Sequence, residues 1–65
     1  MTAITHTTAG RIYTVILAPI TAYVVMQVAD AFVEAFVPRR EAESLRIGWE
    51  VIAAPSDEGV KFYPA

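Results

Sequence analysis

The chain has 65 residues, a net charge of −2 and no cysteine, and 55% of its residues are hydrophobic against 18% that are charged. A core of this size is marginal for a free-standing chain, which usually needs disulfides, a structural metal or a partner. The lack of cysteine excludes disulfides, the single histidine, His6, makes a metal or other cofactor unexpected, and the five scattered basic residues disfavour nucleic-acid binding. The chain could then be stabilised by oligomerisation, by docking on a larger assembly or by insertion into a membrane.

The segment 1–11, MTAITHTTAGR, is rich in threonine and shows no helical period. It predicts an extended polar arm. A secretory signal peptide is disfavoured, because a basic start and a convincing small-residue cleavage site are missing.

The segment 12–37 is mostly apolar and carries no charge apart from two acidic residues, Asp30 and Glu34. A membrane-spanning helix needs about 20 predominantly apolar residues, and this segment exceeds that length. It predicts a single transmembrane helix, kinked near Pro19. Tyr13 would then lie at one membrane interface, where tyrosines are enriched.

The segment 38–46, PRREAESLR, follows as a basic and polar junction. Pro38 ends or bends the helix, because a proline pushes the preceding residue out of the helical region. Arg39 and Arg40 would contact lipid headgroups or the negative end of the helix dipole. Because more basic residues follow the helix than precede it, the C-terminal side is predicted to be cytoplasmic.

The segment 47–65 predicts a β-hairpin. Apolar and polar residues alternate in LRIGWEVIA, SDEG provides a turn, and the alternation resumes in VKFY. A hairpin is only marginally stable by itself, so its apolar face needs a partner surface. Trp49 occupies an apolar position of this alternation and is a candidate for such a contact.

Four polar side chains share one narrow face of the predicted helix, because they are spaced by four, three and four residues. The rest of the helix is apolar, which indicates burial on most sides. The polar line therefore contacts a partner, marks the end of the membrane span, or forms a proton or ion site. Its members are Tyr23, Gln27, Asp30 and Glu34.

The predicted fold class is a single transmembrane α-helix with a polar N-terminal arm and a C-terminal β-hairpin. The alternative is a small soluble α+β domain in an oligomer, with the order β-α-β-β. In that alternative a strand covers 11–17 and a helix covers 19–37, and the hairpin follows.

The predicted function is that of a small non-catalytic accessory subunit, which stabilises a larger membrane protein complex by helix packing and hairpin docking. Its partners would be that complex, or copies of itself, and the lipid bilayer. No enzyme is expected, because one helix and one hairpin do not enclose a catalytic pocket. The alternative is a soluble oligomeric structural component, for example of a virion or a shell-like assembly.

Overall fold

A computed structural model describes residues 1–65, which form one six-stranded sheet and a single short helix. The elements are β1 (Thr2–Ala3), β2 (Thr8–Leu17), β3 (Thr21–Val28), β4 (Ala31–Pro38), α1 (Arg39–Ala42), β5 (Glu50–Ser56) and β6 (Gly59–Pro64). The strands lie in the order β1-β4-β3-β2-β5-β6. β1 runs parallel to β4, and all other neighbouring strands are antiparallel.

The predicted transmembrane helix over 12–37 is wrong, because this segment forms the antiparallel meander β2-β3-β4. The protein is 63% strand and 6% helix. None of its helical structure has the length and apolar character that a membrane crossing requires. The predictions of a single-pass membrane protein and of a cytoplasmic C-terminal side rested on that helix, and they are wrong as well.

The β-α-β-β alternative is also wrong, because its helix over 19–37 is replaced by β3, a turn and β4. The C-terminal segment does contain two paired strands, β5 and β6, with a register that ends at Ser56 and Gly59. The Ser56 hydroxyl donates to the Gly59 carbonyl oxygen over 2.7 Å and closes the turn between these strands.

Pro19 lies in the tight turn between β2 and β3 and does not kink a helix. The Ala18 N–H donates to the Thr21 carbonyl oxygen over 2.8 Å, which closes the turn. The start of α1 supports it from outside. The Arg39 N–H donates to the Ile20 carbonyl oxygen over 2.9 Å, and its Nη1 donates to the Ala18 carbonyl oxygen over 3.1 Å.

A β-bulge in β2 changes the side to which successive residues point. Ile12 pairs with Met26 and Thr14 pairs with Val25, so Tyr13 is an extra residue in β2. Bulges bend a strand and increase its twist. The sheet accordingly curls into a half-barrel, in which β4 and β6 come into contact.

The hydrophobic core lies on one side of the curved sheet, which we call the inner face. Its residues are mostly small, and the largest fully buried side chains are those of Ile12, Met26, Val24 and Val37. Space is tight, because a Cβ added at Gly10 would lie 2.7 Å from the Gln27 carbonyl oxygen. The buried cluster consists of Ile4, Ile12, Ala22, Val24, Met26, Ala35, Val37, Ala42, Val51 and Ala53.

The turn between β3 and β4 generates a stability prediction. Ala29 adopts a φ of 55°, although left-handed backbone costs a residue with a Cβ roughly 1–2 kcal/mol. We expect Ala29→Gly to raise the free energy of unfolding by about 1 kcal/mol, measured by urea denaturation.

Ala31→Gly is the matched control, because Ala31 lies in β4 and its φ is not positive. A glycine in a strand is expected to lower the free energy of unfolding by roughly 0.5–1 kcal/mol. A loss of stability in Ala29→Gly would show that the turn does not hold this residue in the left-handed region.

Candidate interaction surface

The meander β2-β3-β4 has an outer face, opposite the core, on which side chains form three rows across the strands. The pairing of β3 with its two neighbours defines these rows. We call them, together with Tyr13 from the bulge, the outer patch. The rows are Arg11-Gln27-Phe32, Thr14-Val25-Glu34 and Ile16-Tyr23-Phe36.

Two aromatic pairs form ridges on the outer patch. The rings of Tyr13 and Phe32 meet edge to face with their centroids 4.8 Å apart, and those of Tyr23 and Phe36 are tilted with centroids 5.0 Å apart. Val25 belongs to the row between them and is buried. The patch thus has aromatic rings at both ends, and its middle row consists of Thr14, Val25 and Glu34.

The outer patch contains one short hydrogen bond. The Tyr23 hydroxyl donates to Glu34 Oε1 over 2.6 Å, between neighbouring rows of β3 and β4. This bond to the carboxylate raises the pKa of Tyr23 above its ordinary value of 10.0, and desolvation and the negative charge of Glu34 act in the same direction. The phenol therefore stays protonated at neutral pH and fixes the orientation of the carboxylate.

Three of the predicted partner-contact residues, Tyr23, Gln27 and Glu34, lie in the outer patch. They are brought together by strand pairing, whereas the sequence prediction placed them on a helix. Asp30 lies apart from them in the exposed turn between β3 and β4. Trp49 lies outside the patch, in the loop that precedes β5.

The residues predicted to lie at a membrane interface have separate positions. Tyr13 belongs to the outer patch. Arg39 is engaged within the fold, because its Nε also lies 3.3 Å from Glu43 Oε2, and Arg40 is exposed on α1. Their predicted headgroup role was derived from the ends of a helix that the structure does not contain.

Three large side chains of the outer patch, Ile16, Phe32 and Phe36, were not among the predicted contact residues. A signal for the last two exists in the alternation of large and small residues along β4. Phe32, Glu34 and Phe36 point outward, whereas the smaller residues between them, such as Ala35, point inward. A search for alternating size, in addition to alternating polarity, would have indicated a strand with two apolar faces.

A second apolar surface, which we call the Trp49 groove, is an opening of about 630 Å³ lined by Leu45, Trp49, Val51, Phe62, Tyr63 and others. Trp49 is 52% exposed, and the loop that carries it is held against β2. The Ile12 N–H donates to the Trp49 carbonyl oxygen, and the Gly48 N–H donates to the Ile12 carbonyl oxygen, each over 2.8 Å.

The other polar contacts of the molecule are local. Arg11 and Glu50 make an exposed ion pair of 3.3 Å beside an open depression of about 480 Å³. His6 is exposed, and its Nδ1 lies 3.3 Å from the Thr5 hydroxyl. No group of three or more His, Cys, Asp or Glu side chains is arranged to hold a metal ion.

Comparison with protein-family models, with curated proteins and with solved structures finds no match to this chain. Its functional interpretation therefore depends on the geometry of the outer patch and the Trp49 groove.

The hydrogen bond between Tyr23 and Glu34 generates a prediction for alkaline pH. We expect Glu34→Gln to lower the pKa of Tyr23 toward 10.0, because the amide removes the negative charge that favours the protonated phenol. An NMR titration of the tyrosine ring signals measures this change.

The same bond predicts the direction of the pH dependence of stability. Because the pKa of Tyr23 is raised on folding, its contribution to stability is fully present below pH 10.0 and is lost as the pH rises through the raised value. Tyr23→Phe should lose less stability over that alkaline range. The assignment would be contradicted if the wild type and Tyr23→Phe lost the same stability at alkaline pH and Glu34→Gln left the pKa of Tyr23 unchanged.

Proposed function

We propose that the protein is a non-catalytic structural component that is incorporated into a larger protein assembly through its outer patch. The observation that carries this proposal is the distribution of side-chain size. All four aromatic side chains of the meander lie on the outer face, where Phe36 is 71% and Tyr13 54% exposed, and Ile16 beside them is 58% exposed. The core beneath them is built mainly from alanine and valine.

The exposed apolar area is large for a chain of this length. Taking 150–250 Å² for each aromatic side chain, the outer patch leaves roughly 500 Å² of apolar surface in contact with water. The largest apolar patch on a typical monomer is roughly 300–600 Å² and often marks an interaction site. A chain of 65 residues offers little other surface to offset such a patch, so we expect it to be covered in the working state.

The hydrogen bond between Tyr23 and Glu34 suits an interface. Stable interfaces combine an apolar centre with a few well-placed polar groups, which fix the orientation of the partner. Tyrosine is also among the residues that contribute most to binding energy, because its ring is large and loses little conformational entropy. The orientation of Glu34 is set before a partner binds.

The Trp49 groove supports a structural role further. It shares no lining residue with the outer patch, and two backbone hydrogen bonds to Ile12 hold the loop that carries Trp49 against β2. A component inside an assembly contacts more than one neighbour, and two separate apolar surfaces provide for that. We therefore favour a component with neighbours on two sides.

Ile16→Thr tests the role of the outer patch, with Ile20→Thr as the matched control. Both isoleucines are exposed, 58% and 82%, but Ile20 lies in the turn outside the patch. Threonine keeps the β-branched shape that strands favour. Size-exclusion chromatography of extracts from the natural source should find the wild-type chain and Ile20→Thr in large particles, and Ile16→Thr largely as the free chain.

Circular dichroism of the purified variants establishes that both remain folded. If the wild-type chain elutes from the extract at its own mass of 7.1 kDa, or if Ile16→Thr remains in particles to the same extent as Ile20→Thr, the proposed function is wrong.

A further inference from the structure

We infer that the outer patch binds a second copy of this chain, face to face, about a two-fold axis that runs roughly parallel to β3. This inference rests on the proposed function, because it names the partner of the surface assigned there. It follows from the area of the patch and from the positions of its two charged groups, Arg11 and Glu34.

The area of the patch is sufficient for a dimer. Two copies that each cover roughly 500 Å² of apolar surface bury about 1,000 Å² together, which is the lower limit for a specific interface. The polar rim adds to this area. Interfaces at this low end of the size range are typical of weak or transient complexes.

The protruding aromatic side chains set how closely two copies can approach. An axis along β3 keeps each row opposite the same row, so the aromatic ridges of the two copies face each other, and so do the middle rows, in which Val25 is 3% exposed. The aromatic side chains therefore make the main contact. Packed sheets lie about 10 Å apart with their strands within roughly 30° of each other.

Charge decides between the two symmetric arrangements. In face-to-face packing the two-fold axis lies in the interface, either across the strands or along them. An axis across the strands through Val25 places Glu34 directly opposite Glu34 of the other copy. Two facing carboxylates in a largely apolar interface repel each other and lose solvation, so this arrangement is disfavoured.

An axis along β3 exchanges the positions of β2 and β4 and removes this conflict. Glu34 of one copy then lies opposite Thr14 of the other, whose hydroxyl is a donor. Phe36 lies opposite Ile16, so the two most exposed apolar side chains of the patch cover each other.

The same axis brings Arg11 of one copy within one row of Glu34 of the other. Arg11 is available for this contact, because its side chain is 60% exposed and its only ion pair, with Glu50, is a surface contact of 3.3 Å. In the dimer the Arg11 guanidinium bridges Glu50 of its own chain and Glu34 of the other. Each carboxylate in the interface therefore has a cation nearby.

Cysteine cross-linking tests the axis, since the chain has no cysteine of its own. Gln27 lies on β3, so the axis along β3 brings Gln27→Cys of two copies together, and a bifunctional thiosulfonate that spans only about 5 Å should join them. Thr14→Cys is the matched variant on β2, and its two copies lie farther apart. Asp57→Cys in the distant β5–β6 turn measures random collision.

We expect efficient cross-linking of Gln27→Cys and only background levels for Thr14→Cys and Asp57→Cys. Efficient cross-linking of Thr14→Cys without Gln27→Cys would establish the axis across the strands and overturn the inference. Cross-linking of Gln27→Cys at no more than the level of Asp57→Cys would overturn the face-to-face dimer altogether.

Analytical ultracentrifugation tests the charge argument. We expect Glu34→Arg to weaken dimerisation at least about tenfold, because it places a second positive charge beside Arg11 of the other copy. Glu58→Arg changes the net charge by the same amount, but Glu58 lies in the β5–β6 turn. The dissociation constant of this variant should therefore remain close to that of the wild type. Equal dissociation constants for the two variants would contradict the pairing.

The dimer and the proposed function fail separately. If the purified wild-type chain is monomeric up to about 1 mM, yet Ile16→Thr alone is lost from the native particles, the second copy is excluded and the structural role remains. If the purified wild-type chain forms dimers but Ile16→Thr remains in the native particles, the dimer stands and the proposed function is wrong.

Discussion

The extra residue at Tyr13 is the constraint on which both faces of the sheet depend. Before it, Ile12 points to the core beside Met26, and after it Val15 takes up the inward position opposite Val24. Without the bulge, the alternation would carry Thr14 inward and turn Val15 toward water. The bulge thus keeps the inner face apolar, adds an aromatic ring to the outer face, and increases the curvature of the sheet.

Curvature in turn explains why the small side chains are inside. The strands of a curled sheet converge on the inner face, so little volume is available there for each side chain. Gly10 shows this limit, because an added Cβ would lie 2.9 Å from Met26 Cε. Aromatic residues therefore occupy the diverging outer face. The apolar outer patch and the compact core are two consequences of the same bend.

The sequence indicates the strands of this fold unevenly. The alternation of polar and apolar residues in LRIGWEVIA overlaps β5 only at residues 50–53, whereas residues 45–49 form the loop and turn before that strand. The segment 24–37 lacks such alternation, since both faces of β3 and β4 are apolar, and an apolar run is compatible with helix or strand. The sequence does not indicate the turn between β3 and β4 either, because alanine, at Ala29, occupies a left-handed position that normally favours glycine or asparagine.

The outer patch was predictable only in part. The helical spacing of Tyr23, Gln27 and Glu34 predicted that they share one face. They do share a face in the structure, but strand pairing brings them together. The two geometries differ in distance. Residues 23 and 34 would be about 16 Å apart along a helix, whereas the strands bring the Tyr23 hydroxyl within 2.6 Å of Glu34. The aromatic ridges could not be assigned without the register, because their partners come from different strands.

The position of Glu34 restricts what can cover the patch. When a carboxylate leaves water, it must gain hydrogen bonds or a cation to replace its hydration, and otherwise it opposes binding by several kcal/mol. Tyr23 supplies one such bond within the chain. The remaining capacity of the carboxylate must be met by the partner, so a purely apolar surface is a poor match even though most of the patch is apolar. A partner that presents a hydroxyl and a guanidinium at the spacing of Thr14 and Arg11 meets this requirement, and the chain itself carries both groups.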